Sequence, residues 1–211
     1  VFAASGAKDM IFEKDITLVF DLVDGEQKFA AFSAERDNSA NCEITSSTGQ
    51  TLKLTNGSAD SVYRGIFSGN VNFDVMGDKT VTLHGKSTTT GTLALSGEAK
   101  VVFAAGASWR GGLSLEKGDG TQSITLNNGG MTVSSLVVGG EKLAPGHYGP
   151  DAPVEANRLS CIKGNGTVVI APASAETAVW DAGGGTSSLG VSDAANWSGD
   201  RTPDCETGLD S

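Results

Sequence analysis

Short apolar triplets recur about every twenty residues along this chain, and few folds can satisfy such a period. One row runs Leu52, Phe73, Leu93, Leu113, Val133, in steps of 21, 20, 20 and 20. A second runs Cys42, Val62, Val81, Val101, Ile124, in steps of 20, 19, 20 and 23. These residues belong to triplets such as Leu93-Ala94-Leu95, Leu113-Ser114-Leu115 and Ile124-Thr125-Leu126. Each triplet turns two side chains to one face and one to the other, a minimal β-strand. Two interleaved rows with one period mean that every repeat adds at least two strands, stacked on the equivalent strands of the repeat before. The expected fold class is all-β, a parallel β-helix (solenoid) of about six coils. A β-sandwich is the alternative, since it also carries short strands every ~8–12 residues. Hairpin signals of the Asn-Gly kind are few after Asn56-Gly57, and a Greek key gives no reason for a constant step.

The connections suit such a stack. Glycine, at 29 of 211 residues, is about twice its usual ~7% share and lies between the triplets with Ser, Thr and Asn. Three regions are expected: an N-terminal strand and cap region, 1–41; a β-helix body, 42–170; and a linker with an acidic C-terminal tail, 171–211. In the first, Ile16 to Val23 reads as a strand and Asp24-Gly25 as a turn. Lys28 to Arg36 reads as a short amphipathic helix that would shield the open end of the stack. Outward positions on the first row are Lys53, Asp74 (or Asn72), Ala94, Ser114 and Thr132, and on the second Glu43, Thr82, Val102 and Thr125. These are small and mostly neutral, so the lateral faces should be fairly flat, with Asn56 and Asn127-Asn128 at turns. The tail reads either as solvated or loosely docked chain or as a last capping strand with Trp180 and Trp197 folded inward. A chain opening at Val1 and stopping at Ser211 is expected to be an excised module of a larger protein.

Charge narrows the partners. The net charge of −10 opposes nucleic-acid backbones and anionic lipid, which need clustered Lys and Arg, and disfavours polyanionic glycans. No apolar run reaches the ~18–20 residues of a membrane span, and the start lacks the pattern of a signal peptide. Cys42 and Cys161 sit in apolar patterns and read as small buried hydrophobes; with Cys205 the count is odd, and one disulfide remains an alternative. His84 and His147 have no partner at ligand spacing. Among acids one coil apart, Asp78 meets Glu98, a single pair where glycoside hydrolysis needs two carboxyls facing one bond. No cofactor is expected; a structural calcium in the acidic tail, Asp200 to Asp210, is the one metal option, and that tail lacks EF-hand spacing.

The aromatic residues are the remaining candidates for recognition. Trp109 stands beside Arg110 in a glycine-rich turn, Ala105-Gly-Ala-Ser-Trp-Arg-Gly-Gly, where an exposed ring is expected. Tyr63-Arg64 and Phe67 lie on an earlier coil and Tyr148 in the LAPGHYGPDAP loop, whereas Phe73 and Phe103 fit the inward rows. The candidate ligand-binding set is Trp109, Arg110, Tyr63, Arg64 and Tyr148. The coil step of ~4.8 Å is close to one pyranose unit, so a flat face can match a linear glycan unit by unit.

The run MTVSSLVVGGEKLAPGHYG…LSCIKGNGTVVI resembles the closing portion of autotransporter-associated β-strand repeat units, found in very large secreted or surface proteins of bacteria. GTLALSG at Gly91 to Gly97 is similar to the core of that repeat, and VWDAGGGTSSLGVSDAANWSGDRTPD to the opening of a next unit. Together these cover about two-thirds of the chain; Val1 to Ser61 matches least. The resemblance implies a right-handed β-helix, a secreted or cell-surface location and other domains of the same parent chain as partners. The reading drawn from residues and resemblance together is a non-catalytic carbohydrate-binding module for a neutral polysaccharide such as xylan. A structural or adhesin spacer is the alternative, and a polysaccharide lyase or hydrolase a second.

Overall fold

The structure, a computed structural model, describes residues 8–11, 17–19, 26–34, 42–54 and 59–171. The chain forms two compact units, Val1–Ala171 and Pro172–Ser211. The second unit, with the calcium option, Cys205 and both tail tryptophans, lies outside the described residues, as do Asp24-Gly25 and Asn56.

The first unit is a parallel β-solenoid of about four turns, not six. Each turn has three strands, consistent with the minimum of two that the rows require. The first face stacks β5 (Thr51–Leu54), β8 (Asn72–Gly77), β11 (Leu93–Gly97), β14 (Gly112–Leu115) and β16 (Ser135–Val138). The second stacks β6 (Ser61–Tyr63), β9 (Thr80–Leu83), β12 (Lys100–Phe103), the start of β15 (Ser123–Val133) and the start of β19 (Ile162–Ile170). The third holds β2 (Thr17–Val19), β4 (Glu43–Ser46) and β7 (Ile66–Gly69), then β10 (Lys86–Ser87) and β13 (Ser108–Trp109). Between those two groups the Thr88 N–H donates to the Phe67 carbonyl. End strands lengthen the ladders without completing turns, which is why a count of row members overstates the coils.

On the first face Leu52, Phe73, Leu93 and Leu113 lie one above another, as their spacing predicts. The row then continues at Leu136, not Val133, which pairs with Ile170. On the second face Val81, Val101 and Ile124 stack as expected, followed by Ile162. Val62 does not belong with them: Ser61 pairs with Val81, so Val62 sits under Thr82 on the outside, and Tyr63 takes the inner position under Leu83. A one-residue shift of register exchanges the two faces of a strand, and here it buries the larger ring. Cys42, just before β4, and Glu43, its first residue, belong instead to the third face. Outward neighbours are accordingly Lys53, Asp74, Ala94, Ser114 and Val137 on the first face, so Val137 replaces Thr132.

The short helix expected at Lys28 to Arg36 is instead β3 (Glu26–Ala34), a strand that rounds a corner. Its first half pairs with β5 and its second with β6. A ladder on both faces outweighs a local amphipathic pattern. β1 (Lys8–Ile11) lies parallel to β3. At the other end the chain turns back. β17 (Glu141–Lys142) runs antiparallel to β16, and β18 (Gly146–Tyr148) antiparallel to β19, so both ladders end on a reversed strand. A 3-10 turn at Glu155–Asn157 carries the chain into β19.

The core is the line of inward side chains, each worth roughly 1.5–3 kcal/mol when fully buried. Cys42 and Cys161 are both within it. Its corners need glycine. A Cβ on Gly85 would lie 1.9 Å from the Gly65 carbonyl oxygen, and one on Gly111 1.7 Å from that of Gly91. We expect Gly111→Ala to lower stability by about 3 kcal/mol or more, since backbone must move. Gly106→Ala, whose Cβ would have nothing within 4 Å, should cost only the left-handed backbone penalty of ~1–2 kcal/mol. Urea midpoints of the two variants compare them directly.

Candidate functional site

The five candidate residues do not form one surface. Trp109 is wholly buried, as is Tyr63, and Tyr148 nearly so. Arg64 is half-buried and Arg110 exposed.

The expected exposed ring at Trp109 is corrected, and the reason is local. Ser87, on the turn below, is small and inward, leaving a space that the indole fills down to Phe67, with ring centroids 5.4 Å apart. The indole N–H donates to the Gly91 carbonyl at 3.3 Å, so the polar end of the ring is satisfied inside. The glycines around it mark close packing rather than a loose loop, because the Gly111 position also abuts the indole nitrogen. Phe67 is the hub: it stacks on Phe73 at 5.0 Å and 24° and tilts against Tyr63 at 5.1 Å. Phe73 and Phe103 are core, as expected.

Tyr63 directs its hydroxyl at two carbonyls, Cys42 at 3.3 Å and Ile66 at 3.2 Å. Burial pushes its phenol far above the ordinary range, and the nearby Cys42 and Glu43 add to this. Gly65 leaves the space for that hydroxyl. Tyr148 belongs to the reversed strand β18, where its hydroxyl donates to the Ala144 carbonyl at 2.8 Å. All three rings therefore serve packing, and none offers a face for stacking on a sugar.

Several other polar side chains of the described residues bond to backbone or to one another. Asp78 is held by Lys79 at 3.2 Å on the surface. Asp60 accepts the Thr80 N–H at 2.8 Å, and Asn72 accepts that of Thr92 at 2.9 Å while donating to Gly49. Thr89, buried, bonds both the N–H and the carbonyl of Val71. Burial pushes the Cys161 thiol up, away from the nucleophilic thiolate. Among the described residues no group of three or more His, Cys, Asp and Glu converges to hold a metal. The corner ladder was missed in the sequence, although Asp60, Asn72 and the glycine pairs keep the same twenty-residue step as the core.

His84 follows Leu83 at a corner, beside Arg64 on the turn below, and its backbone N–H donates to the Tyr63 carbonyl. Burial first, and the Arg64 guanidinium second, hold its imidazole below its ordinary pKa of 6.5.

No family model, curated protein or solved structure matches the chain.

Two outcomes follow from this packing. Trp109→Ala should cost about 3–5 kcal/mol of stability, read from the denaturant midpoint, because it empties a filled space above Phe67. For His84, the folded state binds protons less readily than the unfolded chain, so its contribution is fully present above pH 6.5 and declines as pH falls through that value. Between about pH 7.5 and about pH 5.5, wild-type protein should lose more stability than His84→Gln.

Proposed function

We propose that this chain is a rigid, non-catalytic solenoid spacer in a larger secreted or cell-surface bacterial protein, with the other domains of that parent chain as its partners. The observation that carries this reading is the direction of these aromatic residues among the described ones: Tyr63, Phe67, Phe73, Phe103 and Trp109 all point inward. Each turn repeats the same core row, and polar side chains at the corners bond from turn to turn. That construction resists bending, which is what a spacer must do. The reversed strands β17 and β18 support a module closed at that end, joined to its neighbour by chain rather than by more coils. The resemblance of the Gly91 to Gly97 and Met131 to Ile170 segments to autotransporter-associated repeats supports the location.

Binding of a neutral polysaccharide is the second reading. We rank it second because the candidate rings are buried, and one observation favours it. Val62, Thr82, Val102 and Thr125 form a flat, half-exposed line of small side chains up the second face. Their step of ~4.8 Å is near the length of a sugar unit.

Affinity electrophoresis separates the two. The spacer should migrate unretarded through xylan and other soluble neutral glycans; retardation by any of them overturns the spacer reading in favour of the second. A spacer should also tolerate loss of a turn. Deleting residues 92–111, one repeat, should leave a cooperatively folding protein, less stable for the loss of Trp109 and shortened by ~4.8 Å in small-angle scattering.

A further inference from the structure

The last corner of the solenoid contains a chemically fragile dipeptide, Asn165-Gly166, inside β19. Here β15 and β19 fall out of step: Leu126 pairs with Gly164 and Gly129 with Gly166, so two residues of β15 face Asn165 alone. Gly166 has φ +126°, and a Cβ on it would lie 2.4 Å from the Gly129 carbonyl carbon. Only glycine fits. Asn165 itself is exposed to water.

An asparagine followed by glycine undergoes ring closure readily, because no side chain hinders the attacking nitrogen. The glycine N–H loses its proton and the nitrogen bonds to the asparagine Cγ. The Cγ–Nδ2 bond then breaks, and ammonia leaves with that proton. Water opens the resulting succinimide at either carbonyl, giving aspartate or isoaspartate. Isoaspartate adds an atom to the backbone and would break the pairing of β19 with β15.

The required nitrogen is occupied. The Gly166 N–H donates to Asp151 Oδ2 at 2.7 Å, a short, charge-assisted bond reaching back from the excursion between β18 and the 3-10 turn. We propose that Asp151 protects Asn165 from deamidation. Its carboxylate holds the proton on the attacking nitrogen and opposes the negative charge that would develop there. It also fixes Gly166 in the ladder, away from the folded-back geometry that ring closure needs. The fold imposes glycine at 166, and Asp151 offsets the resulting weakness.

The test is peptide mass spectrometry of intact protein incubated at mildly alkaline pH, following Asn165. Asn128-Gly129 lies on the paired strand and carries the same dipeptide, so it serves as the internal reference. Asp151→Ala should raise the Asn165 rate on the order of tenfold, the weight of one charge-assisted hydrogen bond, and leave Asn128 unchanged. Asp151→Asn, which keeps the shape and an acceptor oxygen but not the charge, should raise it by a smaller factor and guards against a misfolded alanine variant. An unchanged Asn165 rate in both variants overturns the proposal. So does equal acceleration at Asn165 and Asn128, which would mean that the strand pair had simply loosened.

Discussion

Each turn of this solenoid rests on the corner of the turn below, and at several of those corners there is no room for a side chain. The Gly65–Gly85 and Gly91–Gly111 contacts bring backbone against backbone closer than any Cβ allows. Everything else depends on that approach. If the corners stood further apart, the parallel ladders on the three faces could not keep their spacing, and the inward rows would lose contact with their neighbours. Glycine abundance in this chain is therefore a packing requirement at the corners as much as a source of turns.

Close corners also decide where the aromatic residues go. A narrow three-sided tube has few places for large rings, and each ring needs small neighbours above or below it. Ser87 provides that space for Trp109, and Gly65 for the Tyr63 hydroxyl. The rings meet around Phe67 and tie three turns together. Their polar atoms find backbone carbonyls, so burial leaves no hydroxyl or indole N–H without an acceptor. What remains outside is a set of flat faces made of Ala, Ser, Thr and Val with scattered charges. Among the described residues these faces present shape and backbone repeat rather than an aromatic platform.

The end of the stack follows a related logic. A parallel ladder that simply stopped would leave a row of open N–H and C=O groups. Here the chain reverses in an excursion that covers both ladders with short antiparallel strands, and Tyr148 of β18 joins the core. The same excursion brings Asp151 to the Gly166 N–H, so closing the stack and holding the last corner are parts of one arrangement.

By itself the sequence determined the period and hence the solenoid, because stacked strands must present an apolar residue at the same place in every turn. Leu52, Phe73, Leu93 and Leu113, and Val81, Val101 and Ile124, were legible for that reason. It did not determine the third strand of each turn, where β10 and β13 are two residues long and too short to show alternation. Nor did it place Val62, Cys42 or Val133, since a register shift of one residue, or a longer last turn, leaves no local mark. The candidate site was the least legible part. A tryptophan among glycines looks like an exposed ring in a loose turn, and only the turn below, with Ser87 inward and the Gly91 carbonyl in reach, makes that position a core site. The strand at Glu26–Ala34 was decided in the same way, by neighbours on two faces that no local pattern could reveal. Period is a property of the chain, whereas burial and register belong to contacts between turns about twenty residues apart.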